Sequence, residues 1–280
     1  MLTLRTNYEE LQKNIIETTR KYLADNTHLK SLIVGISGGI DSAVTCALAR
    51  NVLADVPDIA LIGRLLPIET NTPEEIERGE KVGRAFCDAC ENRDLTNAYR
   101  NLYDSFVVGS ERAQDQATTE KIRRGNLKAR VRMAYLFDLA HAHQGMVLST
   151  DNYTEFLLGF WTLHGDVGNY GMIQNLWKTE VYGLAEHLAG TYRKKGNQAG
   201  AAALQLCIEA VPTDGLGITG SDFEQIGVTD YRSADTLLIN YLKGNTAGED
   251  HPTIVKHKQT EFKRHDPQAI PRKTLFKLDE

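Results

Sequence analysis

Leu32-Ile33-Val34-Gly35-Ile36-Ser37-Gly38-Gly39-Ile40-Asp41-Ser42 decides the fold. The opening apolar run is too short for a helix and reads as a buried strand. It breaks at Ser37-Gly38-Gly39, and an apolar helix resumes from Ser42 to Leu53. Gly38 and Gly39 permit positive φ and close backbone approach. The first N–H groups of the helix then point at the turn, where the helix dipole favours an anion. Ser37 and Ser42 add hydroxyl donors. Asp41 is the odd member, because an acid beside a phosphate is repelled unless a divalent cation lies between them. Magnesium carried by a nucleotide is the obvious bridge. For a bare Gly-Gly pair the simpler alternative is an ordinary turn in which Asp41 stabilises the helix start.

Outward from this stretch, helices and strands alternate. Residues 7–25 carry Leu11, Ile15, Ile16, Thr19 and Leu23 at helical spacing. A second strand is expected from Ile59 to Leu66, stopped by Pro67. Thr72-Pro73-Glu74-Glu75 is a helix start, and that helix is expected to run to about Phe86. Ala98–Val108 and Asn126–His143 read as helices, Met146–Ser149 as a strand, and Thr179–Ala189 and Ala234–Leu242 as further helices. Residues 213–221 are rich in Gly and Thr and read as a loop expected to close over a nucleotide. Such alternation predicts an α/β fold, a doubly wound open parallel sheet with helices on both faces. One domain is expected over 1–280, with a basic, Pro-interrupted segment at about 250–280. In such sheets ligands bind beyond the carboxyl ends of strands where strand order reverses. Chemistry is therefore expected at Ser37–Ser42 and at Thr150-Asp151-Asn152-Tyr153-Thr154-Glu155.

A net charge of -5 argues against nucleic acid or an anionic membrane as the main partner. No apolar run approaches the ~20 residues that span a bilayer, and the polar first ten residues make no signal peptide. Four cysteines in 280 residues do not make a disulfide framework. Cys46 and Cys207 sit in apolar stretches and are expected to be buried thiols. Cys87-Asp88-Ala89-Cys90 is a lone C-x-x-C, read as two incidental thiols near a helix end. A reduced, cytoplasmic protein is expected.

The string Ser37-Gly38-Gly39-Ile40-Asp41-Ser42 is neither a Walker loop nor a dinucleotide fingerprint. It resembles the loop of the ATP pyrophosphatases, which cleave ATP to AMP and pyrophosphate. Downstream, Gly125-Asn126-Leu127-Lys128-Ala129-Arg130-Val131-Arg132-Met133, Ser149-Thr150-Asp151-Asn152-Tyr153-Thr154-Glu155 and Gly159-Phe160-Trp161-Thr162-Leu163-His164-Gly165-Asp166 follow in order. Lys178-Thr179-Glu180-Val181, Pro212-Thr213-Asp214-Gly215-Leu216 and Glu261-Phe262-Lys263-Arg264 complete the series. In order and spacing they resemble the motifs of the ammonia-dependent NAD synthetases.

The resemblance implies an adenine nucleotide alpha-hydrolase-like fold and a set of roles. Asp41 and Glu155 would hold Mg²⁺. ATP would lie against Gly35, Ile36, Ser37, Gly38, Gly39, Ile40, Asp41 and Ser42, with Arg64, Thr150, Lys178 and Thr213. Deamido-NAD would be bound by Asn126, Arg130, Asp166 and Lys263, with Asp166 near the ammonia and Asp41 and Lys178 also catalytic. Several roles make independent physical sense. Glu155 sits one helical turn beyond a strand end, facing the crevice of Asp41, and a lysine at a helix start reaches a phosphate as a point charge. Arg124, Lys128 and Arg132 share a helix face and repel by ~0.2–0.5 kcal/mol per pair, which a polyanion would relieve. The plain alternatives are a solvated face for that stripe, a turn cap for Asp166, and core positions for Phe160 and Trp161.

Leu163 stands where the family often has lysine, Asn169 or Tyr170 where it often has aspartate, and Phe262 where it has histidine. All three departures fall on the side of the acid substrate. The implied reaction is adenylation of a nicotinate carboxylate and displacement of AMP by ammonia, with deamido-NAD as the acid and nicotinate mononucleotide as the alternative. Ammonia is expected as the nitrogen source, since the loop begins at Ser37 and no stretch reads as a glutaminase. A tRNA-thiolating enzyme using Cys87 and a nucleotide-binding protein without catalysis are the competing readings. The resemblance also implies a homodimer, with the helices around 98–143 at its interface.

Overall fold

The computed structural model describes residues 2–106, 117–212, 222–265 and 268–275. In chain order these form α1 (Tyr8–Asp25), β1 (Ser31–Gly35), α2 (Ile40–Leu53), β2 (Ala60–Leu65), α3 (Pro73–Phe86), β3 (Ala89–Asn92), α4 (Thr96–Phe106), α5 (Ala117–Ala142) and β4 (Gly145–Val147). There follow α6 (Tyr153–Leu158), α7 (Lys178–Lys194), α8 (Gln198–Glu209), α9 (Asp222–Ile226), α10 (Tyr231–Leu242), α11 (Pro252–Gln259), a 3₁₀ turn (Glu261–Arg264) and α12 (Arg272–Leu275). The strands pair in parallel in the order β3-β2-β1-β4. Successive strands therefore build outward from β1 on one side, and the chain then returns to place β4 on the other. That reversal puts the switch point between the ends of β1 and β4.

Both faces of the sheet are covered, which is why its strands read as apolar runs rather than alternating ones. Leu32 and Val34 pack with α1, α2, α7 and α8, whereas Ile33 joins Ile62, Val147, Tyr99, Met133 and Leu136 under α4 and α5. A third cluster gathers α6, α10 and α11 around the buried Trp177. The start of α3 matches its sequence signature: Thr72 and Glu75 form a reciprocal capping box with Pro73 inside it.

Three elements depart from expectation. β4 ends at Val147, although the Leu148 N–H still donates to the Ile33 carbonyl at 2.8 Å; on the outer edge Asn169 donates its N–H to the Val147 carbonyl at 2.7 Å and its Oδ1 accepts from the Val147 N–H at 3.0 Å. Cys87 caps the end of α3, as expected, while Cys90, three residues on, lies on β3, an exposed edge strand, where it pairs with Gly63. α8 has no sequence signature, since its Gly and Ala residues give no apolar stripe; they bury Gly200, Ala201 and Ala203 instead. Cys46 and Cys207 are buried free thiols, as expected. Residues 213–221, including Thr213, lie outside the described residues.

The Arg124, Lys128 and Arg132 stripe is not solvated. Lys128 is buried and pairs with Glu69 at 3.3 Å, as does Arg124 at 3.3 Å. Arg132 donates to the Leu66 carbonyl at 2.8 Å and to Asn71 Oδ1 at 3.1 Å. A carboxylate of the protein, rather than a ligand, offsets most of the repulsion, and the stripe grips the segment after β2.

Candidate active site

The glycine turn is built for close approach. Gly38 has φ +81, and a Cβ there would lie 2.3 Å from the Glu75 carbonyl oxygen, so no side chain fits. Arg78 Nε donates to the Gly38 carbonyl at 3.0 Å and Cys207 Sγ lies 3.5 Å from it. Ser42 Oγ accepts from Ser37 N at 3.3 Å and donates to the Gly39 carbonyl at 3.0 Å, and Gly39 N donates to Ser37 Oγ at 3.2 Å. Gly39 caps α2 without a side chain. The first N–H groups of α2 are thus left facing a cleft of about 650 Å³.

Four side chains from three elements meet in the cleft: Asp41 of α2, Asn152 and Glu155 of α6 and its cap, and Lys178 of α7. Lys178 opens α7, is buried, and its Nζ donates to Asp41 Oδ2 and, at 2.8 Å, to Glu155 Oε1. Asn152 caps α6 in a reciprocal box with Glu155, and its Nδ2 donates to Asp41 Oδ1 at 2.9 Å. The cap therefore carries the coupling between the two strand ends. Burial raises the Glu155 carboxyl and Asp41 adds to the rise, while Lys178 opposes it. Burial would lower Lys178, but Asp41 and Glu155 outweigh it and hold the ammonium well above the usual lysine range. Burial and the neighbouring Asp41 push Glu155 up to about 8, so without a cation it keeps its proton at neutral pH, and a bound cation would favour its ionised form. Hard carboxylate oxygens fit a divalent cation such as Mg²⁺.

Arg64 closes the cleft from the end of β2, with Nη1 donating to the Gly63 carbonyl at 2.8 Å and a buried Nε that has no hydrogen-bond partner. Gly35, Ile36 and Ile40 line the cleft with the turn, and Thr150, Arg78, Arg132 and Asp166 also face it. Asp166 accepts from the Thr162 N–H, so it does cap the turn, and burial raises its carboxyl despite that bond.

A second cavity of similar size adjoins the first, with Met133 and Asp151 lining both. Phe137, Phe156 and Trp161 supply its aromatic walls, and Arg130, Lys263 and Arg264 its positive charge. Those cations bond only backbone carbonyls and the Thr260 hydroxyl: Arg130 to Leu163 at 3.1 Å, Lys263 to Gly159 at 2.7 Å and to Trp161, Arg264 to Leu157 at 2.9 Å, His257 at 2.9 Å and Thr260 Oγ1 at 3.4 Å. Among the described residues no carboxylate is in a salt bridge with them. Trp161 is thus a half-buried wall whose Nε1 lacks a partner, not a core residue, while Phe160 packs beside the α6–α11 cluster. Asn126 lines neither cavity; its Oδ1 accepts from Thr162 Oγ1 at 2.8 Å.

A family model described as NAD synthase matches residues 11–278. The chain belongs to the NAD synthase family. It is 30% identical to the NH(3)-dependent NAD(+) synthetase of Methanocaldococcus jannaschii over 87% of this chain and 85% of that one. The protein of the same description from Chlorobium phaeobacteroides is 34% identical over 57% of this chain, and the match spans about half, 53%, of that relative. The NMN synthetase structure from Francisella tularensis superposes with a TM-score of 0.73 at 21% identity, covering 93% of this chain and 97% of that one, a likeness of fold.

Residue patterns alone assigned no role to four side chains. Asp151, one of the Thr150–Glu155 string, is buried between the cavities, where burial pushes its carboxyl up to about 6 although Ser149 Oγ donates to it at 2.6 Å. Asn152 stands in the same string, and only the fold shows it capping α6 and reaching Asp41. Arg78 is one charge among many on an amphipathic helix, and Asp235 sits in a segment with no motif. Cys87 and Cys90 do not line the cleft.

Proposed function

We propose that this chain amidates the nicotinate carboxylate of deamido-NAD with ammonia, converting ATP to AMP and pyrophosphate. The observation that carries the proposal is Lys178 seated between Asp41 and Glu155, directly across from an uncapped helix start. Family membership supports it, as does the second cavity, whose aromatic walls and carbonyl-held cations suit an anionic pyridine nucleotide.

Asp41 and Glu155 would hold Mg²⁺, which neutralises phosphate charge when bound. The N–H groups of residues 40–42, with Arg64, Arg78 and Arg132, would orient the triphosphate. The carboxylate oxygen attacks the α-phosphorus and the bond to the β-phosphate breaks, releasing pyrophosphate. Lys178 stabilises the charge that gathers on the phosphate oxygens. Ammonia then attacks the acyl carbon, and the carbonyl–phosphate bond breaks to release AMP. Asp151, which lines both cavities, and Asp166, which lines the first, would accept the proton the new amide sheds. Placing both substrates in adjoining cavities accounts for much of the rate.

Leu163 in place of the family's lysine, with Asn169 spent on pairing β4, leaves this side open to the shorter acid, nicotinate mononucleotide. The deciding assay supplies Mg-ATP and ammonia with deamido-NAD or nicotinate mononucleotide in turn and measures AMP and amide. Equimolar AMP and NAD with the dinucleotide is the expected result. Amide from the mononucleotide alone would reassign the substrate, and no AMP with either would overturn the proposal. We also propose a homodimer through α4 and α5, where Phe106, Ile122 and Phe137 are exposed.

A further inference from the structure

Asp235 has no exposed surface, yet it belongs to none of the motifs and lines neither cavity. Its Oδ1 accepts from Thr154 Oγ1 at 2.6 Å and its Oδ2 from the Thr179 N–H at 2.9 Å. The same Thr154 hydroxyl oxygen accepts from the Lys178 N–H at 2.8 Å. One carboxylate on α10 thus ties the second residue of α6 to the first two of α7. The next residue of α6 is Glu155, and the first of α7 is Lys178. One turn earlier on α10, the buried Tyr231 ring lies under Lys178 Nζ at 5.3 Å. The lysine is therefore framed at both ends by the same helix, its backbone through Thr154 and Asp235 and its ammonium by an aromatic face.

We propose that Asp235 is a positioning residue that sets Lys178 and Glu155 in register across from Asp41. A negative group at the start of α7 is favoured by the helix dipole and satisfies N–H groups no intrahelical carbonyl can reach. Asp235 touches no substrate and acts through Lys178 and Glu155. Displacing a reacting group by about 1 Å costs on the order of a hundredfold in rate, so the effect is large although Asp235 stands behind the site.

The inference rests on the amidation proposed above, and the experiment separates the two. The wild-type chain is assayed first for AMP and amide formation. Asp235→Ala is then compared in the wild-type and Lys178→Ala backgrounds. The expected result is a kcat at least thirtyfold lower in the first and less than tenfold lower in the second, because removing Lys178 removes one of the two groups that Asp235 positions and leaves Glu155. Asp235→Asn keeps an acceptor for Thr179 and offers its amide to the Thr154 hydroxyl, so it recovers kcat to within about fivefold of wild type. An equal loss in both backgrounds, or a lowered melting temperature with kcat unchanged, would overturn the proposal. If Asp235→Ala does not fold, Thr154→Val carries the same test, being nearly isosteric. A thirtyfold loss with wild-type melting supports the proposal, and kcat within threefold of wild type overturns it. If the wild-type chain makes no amide, amidation fails and the same pairs are read by the Kd of Mg-ATP. A tenfold weakening by Asp235→Ala that shrinks at least threefold in the Lys178→Ala background supports the positioning role; an equal weakening in both backgrounds, or none in either, overturns it.

Discussion

Lys178 is the residue on which the site turns, because among the described residues its ammonium is the one cation that bridges Asp41 and Glu155. Lys178→Met leaves two buried carboxylates facing each other and takes a cation from the phosphates. Steady-state kinetics should show kcat/KM lower by about 10²–10³, the usual cost of one preorganised donor. Lys178→Arg should not rescue it, since a planar fork does not fit where a point charge meets two acids. Asp151 gives a prediction in pH. Its carboxyl is raised to about 6 from an ordinary value near 3.8. A raised acid binds its proton more tightly in the folded state, so its contribution to stability is greatest below pH 4 and is lost as pH rises through 6. That loss amounts to about 3 kcal/mol at most. Asp151→Asn, which keeps the acceptor for Ser149, should melt higher than wild type at pH 8 and alike at pH 4. Equal melting at both pH values would remove Asp151 as a destabilised acid.

At the scale of elements, α5 shows what a sequence conceals. Arg124, Lys128 and Arg132 were legible as one stripe, but Glu69, the partner of Arg124 and Lys128, lies on a loop more than fifty residues earlier, and no periodicity connects them. Burial alone would raise the Glu69 carboxyl, yet Arg100, Lys128 and Arg124 hold it below the usual range. Glu69→Gln should cost about 2–4 kcal/mol in urea unfolding, because Lys128 would remain buried without its counter-charge. A change under about 0.5 kcal/mol would mean the stripe is solvated after all. The strands β1 and β2 were readable because burial on both faces makes them continuous apolar runs, whereas β3, as an exposed edge, carries no such run. The site divides the same way. The glycine turn, Asp41, Glu155 and Lys178 follow from motifs at strand ends and helix starts. Asn152 and Asp235 act through hydrogen bonds between segments distant in the chain, which only the folded arrangement brings together.

For the molecule as a whole, the reversal of strand order at β1 explains why residues 41, 155 and 178 converge at all. Phe106, Ile122 and Phe137 are exposed on α4 and α5, where the proposed second copy would pack. Light scattering should therefore give a mass near twice the 31.2 kDa of one chain, and Phe106→Asp combined with Ile122→Glu should halve it. A wild-type monomer at micromolar concentration would contradict the proposed dimer. The most direct test of the nucleotide site is a crystal structure of the protein soaked with magnesium and a non-hydrolysable ATP analogue. The triphosphate should lie on the Gly35–Ser42 turn with the metal held by Asp41 and Glu155 and Lys178 in contact with phosphate. A nucleotide bound elsewhere, or a metal that leaves both carboxylates untouched, would contradict the account.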